Sequence, residues 1–375
     1  MTLHDIPTPA VLVEQPRALA NIDRLQRAAD AHGIRVRPHA KTHKSPIVAG
    51  WQMARGAIGI CCAKLGEAEV FADAGIADIR VPYPLHPVNA PRVLGLMDRT
   101  QLSFIVDHMA IARGWSEEMR RAGRRADVLI KVDVGFHRCG IDPDPATAIP
   151  FIREVASLPG LHLCGLLAHA GHAYHATSPE DLRAIAADEA RTLRELAEKA
   201  RATGVAIDEL SAGATPSARF SLEQDGLTEY RAGNYVYFDR TQVGLGAATL
   251  DDCALTVLAT VVSKPADGRV ILDAGAKTLA ADGARGFAPL AGHGTVFRDI
   301  DRPGVPDDNL IVERLSEEHA TVRVASGQTP LVPGDRVRLV PNHSCVVSNL
   351  VDRAWITDQG AIVGELPIAA RGRIS

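Results

Sequence analysis

The side chains best suited to covalent chemistry come early, where Arg35, Arg37, His39 and Lys41 alternate with Ile34, Val36, Pro38 and Ala40. A strand has a side-chain period of two, so this spacing puts four cationic or imidazole groups on one face and four apolar groups on the other. In a barrel the polar face would point inward, where unpaired charge is costly and branched apolar residues normally dominate. Lys41 would stand at the C-terminal end of the strand, the face on which barrel enzymes place their chemistry. Desolvation and neighbouring cations lower a lysine pKa there, leaving an amine able to attack an aldehyde. On the pattern alone, an exposed edge strand with solvated charges is an equal alternative.

Four later segments carry further chemistry. Residues 168–175 hold three histidines, His169, His172 and His175. Residues 211–217 and 231–235 are rich in Gly, Ala, Ser and Asn, and loops of this kind after the last strands of a barrel can cradle a phosphate with backbone N–H groups, although such turns are usually only turns. At the end of a strand-like run, His343 and Cys345 stand two residues apart and would project from one face. Imidazole with thiolate favours zinc or a similar borderline ion, whereas a buried cysteine beside a structural histidine is the commoner case for two residues alone. No GxGxxG or Walker lysine supports a dinucleotide or nucleoside triphosphate.

The elements that must position these groups follow from the same patterns. Short β-prone runs near 34–40, 58–62, 79–82, 102–106, 128–134, 164–168, 209–212 and 229–234 alternate with helical stretches such as 17–31 and 179–203, the second opened by Ser178 as cap and Pro179. Eight such strands predict a closed (β/α)8, TIM-like barrel, an α/β fold, rather than an open sheet. Beyond about residue 250 the texture turns to β-rich runs at 255–263, 269–272, 320–325, 336–341 and 362–368. The expected organisation is a barrel over 20–248 and a mostly β domain formed by 1–19 with 249–375, completed by an early strand at 10–14.

The chain has 375 residues, 46% hydrophobic and 23% charged, enough for a sizeable core. A formal net charge of -4 and the lack of a long basic run argue against nucleic acid as a partner. No apolar run reaches membrane-spanning length and the N-terminus does not resemble a secretion signal, so a cytoplasmic protein without membrane attachment is expected. The six cysteines lack CxxC spacing and read as free thiols, with Cys345 set apart by its histidine. Without a secretion signal, the sequon at Asn342 is accidental.

The segment 37–44, Arg-Pro-His-Ala-Lys-Thr-His-Lys, resembles the lysine strand of the D-threonine aldolase and D-serine dehydratase family, pyridoxal-phosphate (PLP) enzymes of fold type III built on the alanine-racemase barrel. The resemblance runs from Thr8-Pro9-Ala10 through Asp273-Ala274-Gly275 to His343 and Cys345. It implies PLP held as a Schiff base by Lys41. Residues 131–140, Lys-Val-Asp-Val-Gly-Phe-His-Arg-Cys-Gly, are similar to the segment whose arginine meets the cofactor's phenolic oxygen, which implies that role for Arg138. Cofactor contacts are likewise implied for His169, Gly213, Thr215, Gly233, Asn234 and Tyr235. His175 falls where the aldolases place their proposed base, and His343 with Cys345 would bind one divalent ion, zinc, manganese or magnesium. The pair is a departure for an aldolase: aldolase members tend to carry His-x-Asp with manganese or magnesium, and dehydratase members His-x-Cys with zinc.

The family implies a D-amino acid substrate with a β-hydroxyl group and a homodimer. Retro-aldol cleavage to glycine and an aldehyde, with His175 as base, is the leading expectation. The alternative is a dehydratase of D-serine or 3-hydroxyaspartate in which Lys41 takes the α-proton. A racemase would leave the metal pair unexplained, and a non-catalytic PLP carrier would leave the second domain unexplained. Glu318 and His319 are expected to support the metal.

Overall fold

The computed structural model describes residues 1–301 and 304–375. Eight parallel strands form one sheet: Arg35–Val36, Ile60–Cys61, Asp78–Pro84, Gln101–Val106, Ala126–Lys131, Leu161–Leu167, Glu209–Ala212 and Glu229–Tyr230. Arg35–Val36 pairs with Glu229–Tyr230 at one end of this order and Ile60–Cys61 stands at the other. The two ends meet: the Ile58 N–H donates to the Val36 carbonyl, the Cys61 N–H to the Pro38 carbonyl, and a parallel bridge joins His39 to Cys61. Every expected barrel strand is present. Helices such as Gln15–Asp30 and Pro179–Ala202 cover the sheet, and the Ser178 hydroxyl accepts from the Asp181 N–H at 3.1 Å, as a cap should.

The first strand is shorter than expected and Lys41 is not on it. Pro38 has no N–H to give, and the chain turns into a single 3-10 turn, Ala40–Thr42, which carries the lysine. The alternation survives nonetheless, because the Arg37 and His39 N–H groups pair with the Tyr230 and Ala232 carbonyls and Arg37 is buried inside the barrel. That interior is layered. Glu229, fully buried, binds Arg37 and Arg80 towards the N-terminal end of the strands. Ile105, Leu129 and Leu167 form a separate apolar cluster that packs against Cys164.

A nine-stranded, mostly antiparallel sheet forms the rest of the molecule, in the order Arg269–Leu272, Ala320–Val324, Leu310–Leu315, Gly294–Phe297, Arg336–Pro341, Leu255–Ala266, Ala10–Glu14, Arg353–Asp358 and Ala361–Pro367. Ala10–Glu14 lies between Leu255–Ala266, antiparallel to it, and Arg353–Asp358, parallel to it. Three strands have no counterpart in the sequence expectation: Gly294–Phe297 is four residues long, while Leu310–Leu315 and Arg353–Asp358 carry charged residues that blur the pattern. Among the described residues no helix is long and apolar enough to cross a membrane.

Candidate active site

A cavity of about 490 Å³ opens at the C-terminal ends of the parallel strands, and the turn after Arg336–Pro341 closes part of its wall. Lys41 reaches it from the 3-10 turn, Lys131 from the last position of its strand, and Arg231 from just beyond Tyr230. The Lys41 amine is open to the cavity but walled by protein. Loss of bulk solvent lowers its pKa, helped by the Arg138 and Arg231 cations, while Cys345 and Glu67 act the other way. Lys131 is pushed down to about 8 by burial and by Arg231. Nearby Lys44, with φ of 50°, is tied to the buried Glu67 carboxylate, so its charge is already engaged.

His169 lines the same cavity, with Nδ1 against the Gly213 carbonyl. That acceptor selects the Nδ1–H tautomer, and burial followed by the nearby Lys41 keeps the ring well below its ordinary pKa. Phe136 stands edge-on to it at 6.2 Å, and the Arg138 guanidinium lies 5.2 Å from the Phe136 ring centre. Arg138 therefore enters from a loop beyond Ala126–Lys131 rather than from the strand itself.

The two small-residue turns face the same cavity. Gly213, Thr215, Gly233 and Asn234 all line the cavity. Among the described residues the backbone N–H groups of Thr215, Gly233 and Asn234 have no acceptor in the protein, a set of donors that an anion can satisfy. A Cβ at Gly233 would stand 3.0 Å from both the His39 carbonyl and Thr42 Oγ1, so a larger residue would push this turn away from the lysine turn. Tyr235 does not line the cavity. Its side chain is buried in the core and its hydroxyl accepts from Gln52 Nε2 at 3.1 Å.

The His343 and Cys345 pair sits differently from the strand-face expectation. The strand ends at Pro341, His343 is the residue before helix Ser344–Leu350, and Cys345 lies in that helix's first turn. Both side chains line the cavity, and each favours the charged form of the other. Burial opposes charge on His343, but Cys345, Asp239 and Asp282 outweigh it and hold the imidazole up to about 10. Burial likewise opposes the Cys345 thiolate, yet His343 and the Thr42 hydroxyl bring the thiol below its ordinary value. Asp282 Oδ2 sits 2.6 Å from His343 Nδ1, the outer-carboxylate arrangement that orients a metal-binding imidazole. An imidazole braced by a carboxylate beside a thiol inclined to ionise is a donor set suited to a borderline divalent ion.

Asp239 is the residue that sequence reasoning passed over. Its buried carboxylate accepts from Asn234 Nδ2 at 2.6 Å, from the Ser344 N–H at 2.9 Å and from the Gln242 N–H at 3.1 Å, pinning the phosphate-side turn to the metal-side turn. Glu318 is instead engaged by Lys277, and it is Asp282 that meets His343. An aspartate in a loop carries no local signal of such a role. His175 ends the 3-10 turn Gly171–His175 but is exposed and not among the residues lining the cavity; the preceding Tyr174 is.

Comparison with known proteins gives two family matches, "Alanine racemase, N-terminal domain" over residues 14–241 and "Putative serine dehydratase domain" over residues 254–357. The chain is 37% identical to a D-threo-3-hydroxyaspartate dehydratase of Delftia sp., covering 92% of each chain. It is 35% identical to a D-threonine aldolase of Arthrobacter sp., covering 98% of this chain and 93% of the relative. The solved structure of the Delftia enzyme matches with a TM-score of 0.91 at 34% identity over 98% of each chain, and a cysteine-to-alanine variant of a D-threo-3-hydroxyaspartate dehydratase is known in a metal-free form. With its lysine, arginine and His-x-Cys pair gathered in one cavity, the chain belongs to the fold-type III PLP family of D-threonine aldolases, D-serine dehydratases and 3-hydroxyaspartate lyases.

Proposed function

We propose that the protein is a PLP- and divalent-metal-dependent lyase that removes the elements of water from a β-hydroxy-D-amino acid. The observation that carries this reading is the placement of bases: the Lys41 amine faces the same cavity as His343 and Cys345, whereas His175 lies outside it. PLP, held by Lys41, Arg138 and the Thr215, Gly233 and Asn234 amides, supplies an electron sink at Cα, and a divalent ion at His343 and Cys345 supplies a Lewis acid. Desolvation lowers the Lys41 pKa and so favours the neutral amine, which takes the proton from Cα. His169, neutral and fixed on the Gly213 carbonyl, adds no competing charge. Asp282 fixes the His343 ring, and Asp239 holds the two walls together, so the Cβ hydroxyl departs at the His343 end. The balance is simple: H leaves Cα and OH leaves Cβ as water, and the released enamine takes water back to give a 2-oxo acid and ammonia.

Retro-aldol cleavage to glycine and an aldehyde is the second reading, favoured by the aldolase relative and by the histidine turn whose Tyr174 reaches the cavity. It requires His175 or a water beside it to take the hydroxyl proton. D-threonine deuterated at Cα separates the two. Elimination breaks the Cα–D bond, giving slower turnover and label lost from Cα; glycine that keeps its deuterium would contradict the proposal.

A further inference from the structure

At the other end of the barrel, the N-terminal ends of the strands enclose a second cavity of about 390 Å³. The apolar cluster of Ile105, Leu129 and Leu167 separates the two, since Leu167 lines the upper cavity and the cluster packs against Cys164, which lines the lower. Asp127 and His162 come from the starts of two adjacent strands, Ala126–Lys131 and Leu161–Leu167, and Cys164 lies two residues beyond His162. One ligand atom from each of the three lies within 4.8 Å of the others.

We propose that Asp127, His162 and Cys164 form a second divalent-metal site, of zinc class, remote from the catalytic cavity. His162 Nδ1 is 3.6 Å from Cys164 Sγ and 2.8 Å from Asp127 Oδ1. Tetrahedral zinc with bonds of about 2.0 Å to nitrogen and about 2.3 Å to sulfur puts those two atoms about 3.6 Å apart, and nitrogen and oxygen about 3.3 Å apart. The sulfur edge is already in place, and the carboxylate edge opens by about 0.5 Å through rotation of a half-exposed histidine. The same contacts exclude a cysteine-histidine-aspartate nucleophile. Thiol and carboxylate meet one and the same ring nitrogen, so the imidazole cannot accept from one while donating to the other from its far side.

Of the three arginines that line this cavity, two are neutralised by carboxylates. Arg37 is taken by Glu229 and Asp78, and Arg80 by Glu229 and Glu209. Among the described residues Asp127 is paired with His162 and with no arginine. Three protein ligands leave a fourth position to solvent at the cavity mouth. Joining two neighbouring strands at the non-catalytic end, the ion would serve stability, the usual role of that face of a barrel.

The test uses the PLP-loaded protein dialysed against buffered zinc, with bound zinc counted by elemental analysis. In a His343→Ala, Cys345→Ala background, which removes the candidate catalytic pair, one zinc per chain is expected to remain and to be lost on adding His162→Ala with Cys164→Ser. In the otherwise unchanged protein, the same lower pair should remove one zinc, reduce the zinc-dependent rise in melting temperature and leave turnover unchanged. Equal zinc with and without the lower pair, in either background, would overturn the proposal. Because the first background lacks the upper ligands, this result does not depend on whether the catalytic reading holds.

Discussion

Glu229 offers a quantitative check on how the barrel supports its site. Its carboxylate is fully buried and lies 2.7 Å from Arg37 Nε, 2.5 Å from Arg80 Nη1 and 2.6 Å from Ser211 Oγ. Burial alone would raise its pKa, but Arg80 and Arg37, with the Ser211 hydroxyl, hold it down at about 2 against an ordinary 4.5. Each tenfold change is about 1.4 kcal/mol, so this fall corresponds to about 3 kcal/mol favouring the folded, ionised form. Glu229→Gln leaves two buried arginines short of a charge, a change that generally costs about 3–5 kcal/mol. The two routes agree on about 3 kcal/mol as the expected loss in urea unfolding followed by circular dichroism. A depressed carboxyl contributes its full stability above the unfolded value and loses it as pH falls through the folded one. The gap between native protein and variant should therefore stay constant from about pH 8 to about pH 5 and narrow only below about 4.5. A gap under about 1 kcal/mol, or one that closes between pH 8 and pH 6, would refute the reasoning.

Lys41→Ala should abolish the absorbance of lysine-bound PLP and all turnover while circular dichroism stays native; retention of that absorbance would remove the cofactor assignment. His343→Ala should keep the PLP absorbance and lose metal-dependent turnover, and Asp282→Asn should weaken metal affinity by about 10- to 100-fold in a chelator competition. His175→Ala should leave kcat/KM within about twofold if Lys41 is the working base, whereas a loss of about 10²-fold or more would restore the histidine to the mechanism.

Much of this was legible from residue types and period. The inward Arg37 and His39, the eight barrel strands and the early strand Ala10–Glu14 all follow from alternation and turn chemistry, because a buried strand shows its two faces in its own sequence. What the pattern cannot carry is long-range partnership. Pro38 shortens the first strand and moves Lys41 onto a turn, and the strand before His343 ends at Pro341 so that a helix, not a strand face, presents Cys345. Asp239 acquires its role only by meeting a segment 105 residues away and Asp282 by meeting one 61 residues away, and nothing in their local sequence marks them. Strands Gly294–Phe297 and Leu310–Leu315 owe their existence to neighbours in the sheet more than to their own alternation.

The central claim is that Lys41 serves as base toward Cα and that the Cβ–O bond is the one that breaks. Product analysis after incubating the PLP- and metal-loaded protein with D-threonine, D-serine and 3-hydroxy-D-aspartate tests it most directly. The account predicts a 2-oxo acid and ammonia in equal amounts from at least one of the three, 2-oxobutanoate in the case of D-threonine; glycine with an aldehyde, and no 2-oxo acid from any of them, would contradict it.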